Sequence, residues 1–238
     1  MRLLVSVVSP AEAAAALAGG AEIIDIKNPA EGPLGAASPA TLRAVRDIVP
    51  GSVSVSAALG DAPHLPGTFA LAAHGAALCG ADYVKVGLLG SRSRNAALAL
   101  LTAVRQAAEQ ANPDVRVVAV AYADAARVGG LPPAALPAVA AAARVGGVML
   151  DTFLKHGGTL FDALEDDAIA AFITAARHAH LMTALAGSLR AEELHRAAVL
   201  GADIAGVRGS ACDGGRGGTV SAARVRTLRA TLSEPAFP

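Results

Sequence analysis

The sequence predicts a single (β/α)₈ barrel, or TIM barrel, from three observations. Short apolar runs rich in β-branched residues recur along the chain, and each is followed by an Ala- and Leu-rich segment of helical periodicity. About eight such units fit into 238 residues, close to the length of about 250 residues typical of these barrels. Eight units favour a closed barrel over an open, doubly wound sheet. No linker or shift in composition divides the chain, so we expect one barrel domain over residues 1–238, with the last residues, SEPAFP, loosely held.

The predicted strands follow one another at fairly even spacing. In chain order they are RLLVSVV (2–8), EIIDIK (22–27), SVSVSAAL (52–59), YVKVGL (83–88), VRVVAVAYA (115–123), GVMLDTF (147–153), LMTALAG (181–187) and ADIAGVRG (202–209). Several of the helices between them end in a glycine-bearing turn, as in ALAGGAEII, ALCGADYV and VLGADIAG. Glycine readily takes the left-handed conformation that follows a helix C-terminus. The recurring GAD or GAE before a strand indicates a repeated βα unit.

The composition excludes several classes of protein. The formal net charge is zero and aromatic residues make up 3% of the chain, so we expect neither a nucleic-acid partner nor a charged membrane surface. The first residues meet acidic side chains too soon for a signal peptide or a membrane span. Cys79 and Cys212 have no metal-ligand or disulfide spacing. These features predict a cytoplasmic protein.

The scarcity of lysine draws attention to three positions. Lysine and arginine together number 20, yet the only lysines are Lys27, Lys85 and Lys155. Either residue serves on a solvated surface, whereas a position that needs a deprotonatable amine cannot use a guanidinium. All three lysines lie at, or just past, the C-terminal end of a predicted strand. Barrel enzymes place their catalytic groups at these ends.

Strand alternation predicts which side chains enter the barrel. Successive side chains of a strand point to opposite faces. In EIIDIK, Ile24 and Ile26 therefore face the helices, while Asp25 and Lys27 point into the mouth of the barrel. The same alternation points Lys85 and Asp151 inward, and Lys155 follows the strand of Asp151. The pattern predicts a cluster of three cations and two carboxylates.

Such a cluster suits amine catalysis. A lysine attacks a carbonyl only as the neutral amine, and burial together with neighbouring positive charge lowers its pKa toward that form. The resulting Schiff base makes the adjacent carbon acidic, so that a nearby carboxylate or second lysine can act as the base. The alternative is that Lys27–Asp25 and Lys155–Asp151 are ion pairs at the barrel rim. The residues themselves do not rank the three lysines.

Glycine-rich loops after the last two predicted strands suggest a phosphate site. The segments are AGSLR (186–190) and GVRGSACDGGRGGTV (206–220), and barrels of this class frequently bind phosphate with the backbone of these loops. The expected backbone and hydroxyl donors are Gly187, Ser188, Gly209 and Ser210. Arg208, at the end of the last strand, is the expected bidentate phosphate clamp. The alternative is that these glycines only form turns.

Five segments resemble one known family. DIKNPAEGPLGA, ADYVKVGL, MLDTFLKHGGTLFD, TALAGSLR and GVRGSACDGG are similar to segments of the (5-formylfuran-3-yl)methyl phosphate synthases, also called 4-(hydroxymethyl)-2-furancarboxaldehyde-phosphate synthases, of methanofuran biosynthesis. The resemblance extends over nearly the whole chain. It implies a (β/α)₈ enzyme that forms the furan phosphate from two molecules of glyceraldehyde 3-phosphate, with loss of phosphate and water. It also implies Lys27 as the Schiff-base lysine and Lys85 as the proton acceptor, supported by Asp25, Asp151 and Lys155.

The expected function is therefore that of a carbon–oxygen lyase acting on phosphates. Its expected partner is a small triose phosphate, and the resemblance implies that it needs no metal or organic cofactor. We also expect a homo-oligomer. Two alternatives remain open from the sequence: another class I, Schiff-base aldolase acting on a sugar phosphate, and a non-catalytic barrel that binds phosphosugars.

Overall fold

The computed structural model describes residues 1–61, 63–155 and 158–232, and its eight parallel strands close into a barrel in chain order. The strands are β1 (Arg2–Val7), β2 (Ile23–Ile26), β3 (Ser54–Ala58), β4 (Tyr83–Gly87), β5 (Arg116–Tyr122), β6 (Gly147–Asp151), β7 (Met182–Leu185) and β8 (Ile204–Val207). Each lies within one of the runs predicted from the sequence, so the (β/α)₈ fold is confirmed. The segment SEPAFP, predicted to be loose, lies outside the described residues.

Helices separate the strands. Those described are α1 (Pro10–Ala18), α2 (Pro39–Ile48), α3 (Pro66–Leu78), α4 (Arg94–Ala111), α5 (Ala125–Val128), α6 (Leu136–Ala143), α7 (Leu160–Ala163), α8 (Asp166–His178), α9 (Ala191–Val199) and α10 (Ala222–Thr231). Ser9, Ser38 and Ser93 precede helices and accept a hydrogen bond from the backbone N–H three residues on, which satisfies one of the free donors of a first turn. None of the described helices is both long and apolar enough to cross a membrane.

The side chains of each strand alternate between two environments, as predicted. On β2, β4 and β6, the side chains that point outward pack against the helices. They are Ile24, Ile26, Val84, Val86, Val148 and Leu150. The inward set includes the apolar side chains Leu4, Ile23, Tyr83, Val118, Met149 and Ile204. Asp25, Lys85 and Asp151 are also buried. The barrel therefore combines an apolar interior with a charged layer near its C-terminal end.

A buried ion pair stabilises the place where the barrel closes. Strand β1 pairs with β8, and Arg208, just after β8, forms a bidentate ion pair with Glu12 of α1 at 2.8 and 3.3 Å. The Arg208 guanidinium also donates to the carbonyl oxygen of Ser6 at the end of β1, at 3.0 Å. It further donates to the carbonyl oxygens of Arg216 and Gly218 in the loop that follows. One side chain thus joins β1, α1, β8 and that loop.

Replacing Arg208 by Gln is expected to lower the free energy of unfolding by roughly 3–5 kcal/mol, because Glu12 would remain buried without a cation. Equilibrium unfolding in urea measures this. The matched control is Arg224→Gln, since Arg224 and Asp213 form an exposed pair that contributes less than about 1 kcal/mol. Equal losses in the two variants would contradict the role assigned to Arg208.

Candidate active site

A cavity of about 250 Å³ opens at the C-terminal end of the barrel. The predicted site residues that line it are Lys27, Lys85, Asp151, Lys155, Gly187, Ser188, Arg208, Gly209 and Ser210. The structure thus brings the lysine cluster and the glycine-rich loops into one space. Asp25 does not line the cavity but lies fully buried beside it, in contact with Lys85.

Asp25 and Lys85 form the most deeply buried ion pair of the site. Lys85 Nζ lies 2.7 Å from Asp25 Oδ1, and the hydroxyl of Ser6 donates to Asp25 Oδ2 at 2.8 Å. Burial raises the pKa of Asp25, but the positive charges of Lys85 and Lys27 and the hydrogen bonds lower it further, so the net shift is downward. Asp25 is therefore a carboxylate at neutral pH.

Asp151 and Lys155 form a second pair on the other side of the mouth. Lys155 Nζ lies 2.7 Å from Asp151 Oδ1, which also accepts a hydrogen bond from the backbone N–H of Thr152 at 2.7 Å. Burial raises the pKa of Asp151, but the charges of Lys155 and Lys27 and these hydrogen bonds bring it below its usual value. This pair matches one of the two rim ion pairs considered from the sequence.

The other pairing considered from the sequence, Lys27 with Asp25, is not formed. Among the described residues, Lys27 has no carboxylate within ion-pair distance, and its Nζ donates only to the carbonyl oxygen of Pro33, at 3.4 Å. Asp25 is occupied by Lys85 instead. The reason is geometric, because Lys85 extends across the barrel interior from β4 to reach Asp25 on β2.

Lys27 is consequently a buried amine without a counter-ion. Its side chain is 6% exposed, and its pKa is lowered from 10.5 to about 7. Burial is the largest cause, and the positive charges of Lys85 and Lys155 add to it, while Asp151 and Asp25 act in the opposite direction without cancelling it. At neutral pH a large share of Lys27 is the neutral amine, the form that attacks carbonyls. The structure thereby distinguishes Lys27 from the two paired lysines, which the sequence pattern did not.

The glycine-rich loops after β7 and β8 supply polar groups to another wall of the cavity that the lysines line. Gly187 and Ser188 both have positive φ, at 110° and 55°. A Cβ at Gly187 would lie 3.0 to 3.3 Å from Thr152 and Leu160, so this turn requires glycine. Gly209 opens a 3₁₀ turn directly after β8, and the buried hydroxyl of Ser210 has no hydrogen-bond partner among the described residues.

The two arginines of the loop after β8 have different surroundings. Arg208 lines the cavity, but the N–H groups of its guanidinium are engaged by Glu12 and by backbone carbonyls. It therefore presents no free fork of the kind expected for a phosphate clamp. Arg216 lines the same cavity, and its guanidinium has no hydrogen bond or ion pair within the described chain. Burial lowers its pKa, and the charge of Asp151 partly opposes this. Arg216 was missed from the sequence, although GGRGG places an arginine in the predicted phosphate loop.

Comparison with known proteins gives one family and one fold. A family model described as 4-HFC-P synthase matches residues 3–229. A (5-formylfuran-3-yl)methyl phosphate synthase of Methanopyrus kandleri is 46% identical, covering 98% of this chain and 99% of its own. One from Methanococcus maripaludis is 47% identical, covering 90% and 91%.

Solved structures are similar at much lower sequence identity. The 3-hexulose-6-phosphate synthase of Salmonella typhimurium has a TM-score of 0.70 and 16% identity, over 98% of this chain and 99% of its own. The phosphoribosyl anthranilate isomerase of Thermus thermophilus has a TM-score of 0.63 and 17% identity, over 98% of both chains. At such identity these two structures show the fold alone.

The lowered pKa of Lys27 predicts a pH-dependent effect on stability. Below about pH 7 the amine is protonated in the folded and the unfolded chain, so the folded state carries the full cost of a buried cation. Between about pH 7 and 10.5 the unfolded chain binds a proton that the folded chain does not, so the parent gains stability as pH rises. Lys27→Met should therefore be more stable than the parent at pH 6, with a difference that shrinks towards pH 10.

Urea unfolding at a series of pH values measures this difference. The matched control is Lys155→Met, which removes a cation that is paired with Asp151 and should destabilise the protein at pH 7 because it leaves a buried carboxylate alone. If Lys27→Met destabilised the protein at pH 6 as Lys155→Met does at pH 7, Lys27 would be a paired ammonium and the assignment would be wrong.

Proposed function

The chain belongs to the 4-HFC-P synthase family, and we propose that it condenses two molecules of glyceraldehyde 3-phosphate into (5-formylfuran-3-yl)methyl phosphate through a lysine Schiff base. Two triose phosphates contain the atoms of this product together with one orthophosphate and two waters, so the conversion needs no oxidant or reductant. This reaction makes the protein a carbon–oxygen lyase of methanofuran-type coenzyme biosynthesis. The observation that carries the proposal is the buried, unpaired amine of Lys27 in the same cavity as the glycine-rich loops.

Lys27 is the proposed nucleophile. Its neutral amine adds to the carbonyl of one triose phosphate, and loss of water leaves an imine. The imine draws electrons from the neighbouring carbon, so that removal of a proton there gives an enamine. The enamine carbon attacks the aldehyde of the second triose phosphate and forms the new carbon–carbon bond. Loss of phosphate and water, ring closure and release from Lys27 complete the furan, whose aromatic stability favours product.

Lys85 is the proposed group that removes and returns protons. It lines the cavity, and its pairing with Asp25, which Ser6 holds in place, fixes the position of its amine. A base held in this way is oriented toward the carbon next to the imine without needing to reorganise. Asp25 is proposed as the partner that stabilises the protonated form of Lys85.

Lys155 is proposed to assist the departure of oxygen. Asp151 holds its amine at 2.7 Å, and the ammonium can donate a proton to a leaving hydroxyl group. Its positive charge also contributes to the low pKa of Lys27. Asp151 in turn fixes Lys155 and balances its charge.

Two triose phosphates bring two phosphate groups into the cavity. We assign the backbone and hydroxyl groups of Gly187, Ser188, Gly209 and Ser210 to their binding, as the position of these loops suggests. Arg216 is assigned as the guanidinium that binds phosphate, because its donors are not used within the described chain. Arg208 acts on the same loop indirectly, since it holds the carbonyl oxygens of Arg216 and Gly218.

Borohydride reduction in the presence of glyceraldehyde 3-phosphate tests the imine. Peptide mass mapping should find the reduced adduct on Lys27, and the parent should produce the absorbance of a furan. Lys27→Arg, which keeps a cation but cannot form an imine, is the matched control and should show neither. Unmodified Lys27 in an active preparation would contradict the proposal. Triose release from a sugar phosphate without furan would identify an ordinary class I aldolase, and ligand binding without turnover would identify a phosphosugar-binding barrel.

Arg216→Gln tests the phosphate assignment. Loss of a charge-assisted hydrogen bond of about 1.5–3 kcal/mol should raise the KM for glyceraldehyde 3-phosphate by roughly tenfold or more, because about 1.4 kcal/mol corresponds to tenfold. The free energy of unfolding should change little, since Arg216 lies in a partly exposed loop. Arg224→Gln removes an exposed arginine from α10 and is the control. An unchanged KM for Arg216→Gln would refute this role.

A further inference from the structure

The segment from Asn28 to Gly35 forms a tight loop next to Lys27. The backbone N–H of Asn28 donates to the carbonyl oxygen of Gly35 at 2.8 Å, which closes the loop. The side chain of Leu34 is fully buried and packs with the apolar interior of the barrel. Within this loop the carbonyl oxygen of Pro33 accepts the hydrogen bond from Lys27 Nζ. The orientation of the Pro33–Leu34 peptide therefore decides where the Lys27 amine finds its acceptor.

The other side of the same peptide faces Asp61. The carboxyl of Asp61, which follows β3, lies near the backbone N–H of Leu34, and this N–H lowers the pKa of Asp61. In a trans peptide the N–H and C=O groups point in opposite directions. The Pro33–Leu34 peptide thus has the Lys27 amine on its C=O side and the Asp61 carboxyl on its N–H side. Fixing its N–H at Asp61 fixes its C=O toward Lys27.

Tyr122 anchors Asp61 to the barrel. Its hydroxyl donates a hydrogen bond to Asp61 Oδ1. Tyr122 ends β5, where it lies opposite Asp151 in the register of the sheet, and its ring packs edge-on against Phe153 with centroids 5.5 Å apart. The tyrosine is almost fully buried, so its hydroxyl is a fixed point.

Gly87 has no side chain, and the contact between Asp61 and Tyr122 occupies the space where a Cβ would lie. Gly87 ends β4, two residues after Lys85, and a Cβ at this position would overlap Asp61 Oδ1 and lie 3.0 Å from Tyr122 Oη. The backbone of Gly87 is not in a left-handed conformation, so the close approach of Asp61 is what requires glycine here. The Asp61–Tyr122 contact is thus accommodated by the strand that carries Lys85.

Asp61 does not share the cavity of the lysines. It borders a separate cavity of about 400 Å³ between the loops after β2 and β3, which Pro33 also lines. The charged and titratable groups that interact with it are Tyr122, Asp151 and Lys155. Burial raises the pKa of Asp61 to about 6, although the hydrogen bond from Tyr122 opposes the rise. At neutral pH Asp61 is therefore largely the carboxylate, which accepts the hydrogen bond of Tyr122 and attracts the N–H of Leu34.

We propose that Asp61, anchored by Tyr122, is a positioning residue for Lys27: it holds the Pro33–Leu34 peptide so that the Pro33 carbonyl binds one hydrogen of the amine and leaves the lone pair directed into the cavity. The proposal rests on the proposed function, because it takes Lys27 as the imine-forming group. Asp61 acts through the peptide and does not contact the substrate.

The variants Asp61→Ala and Tyr122→Phe test this proposal, and Asp61→Asn is the conservative variant. Asn keeps an oxygen that can accept from Leu34 and Tyr122, so it should restore most of what Ala loses. The matched controls are Tyr83→Phe, which removes the hydroxyl of the other tyrosine at the opposite end of the barrel, and Asp114→Ala at an exposed position. Two measurements are made on each full-length variant.

The first measurement is hydrogen exchange, by mass spectrometry, of the peptide that covers residues 28–37. It reports on the loop whether or not Lys27 forms an imine. Asp61→Ala and Tyr122→Phe should lose protection in this peptide, while Asp61→Asn and both controls should keep it. Unchanged protection in Asp61→Ala would overturn the proposal.

The second measurement is the rate of borohydride trapping of glyceraldehyde 3-phosphate on Lys27 between pH 6 and 9. Asp61→Ala and Tyr122→Phe should trap at least about tenfold more slowly at every pH, with kcat reduced more than KM. The charged groups that interact with Lys27 itself, Asp25, Asp151, Lys85 and Lys155, are unchanged in these variants.

The outcomes separate three explanations. In one outcome the variants trap the triose normally but form furan slowly, and Asp61→Asn is as defective as Asp61→Ala. This outcome would overturn the proposal and indicate a direct proton-transfer role for Asp61. Lost protection with normal trapping would also overturn it, because the loop would then not orient Lys27. A parent enzyme that is never trapped at Lys27 would refute the proposed function instead, and the exchange data alone would then decide whether Asp61 fixes the loop.

Discussion

The burial of the Lys27 amine, which has no counter-ion among the described residues, is the constraint on which the site depends. A buried ammonium is costly unless a carboxylate compensates it, and the two carboxylates of the mouth are already bound to Lys85 and Lys155. Losing its proton removes this cost for the third lysine, Lys27, and its pKa is accordingly lowered to about 7. With three amines and two carboxylates at the mouth, one amine is left without a counter-ion, and geometry decides which one it is.

The pairing of Lys85 with Asp25 depends on the small side chains of β3. Asp25 on β2 and Lys85 on β4 are separated by this strand, whose inward residues at the corresponding levels are Ser56 and Ala58. Side chains of this size leave a path through which the long chain of Lys85 can reach Asp25. A larger residue at either position would obstruct that reach and leave Asp25 to the amine of Lys27, two residues further along the chain. Small neutral residues on a strand that carries no lysine thus help to decide which lysine is left without a carboxylate.

The sequence was sufficient for the barrel and for the inward direction of the charged residues, because both follow from periodicity. The period of two places Asp25 and Lys85 on the inner face whatever their partners are. The sequence suggested the local pair of Asp151 and Lys155, but the partner of Asp25 could not be predicted, because the stagger of non-adjacent strands and the length of each side chain decide it. Arg208 shows the same limit: its position after β8 suggested a phosphate clamp, but the carboxylate that occupies it, Glu12, lies 196 residues away in α1. The contact between Asp61 and Tyr122 likewise joins loop and strand across the mouth.

Comparison with Arg208 shows what distinguishes the positions occupied by lysine. In the Arg208–Glu12 pair the chain uses a guanidinium for a buried cation whose only visible task is to bind a carboxylate and backbone oxygens. The pairs formed by Lys85 and Lys155 are as short, and that of Lys85 is also as deeply buried, and a guanidinium binds a carboxylate at least as well as an ammonium does. Pairing alone therefore does not account for lysine at these two positions. An amine can give up and take back a proton, which a guanidinium does not do in proteins, so the contrast between Arg208 and the two paired lysines agrees with the proton-transfer roles proposed for the lysines.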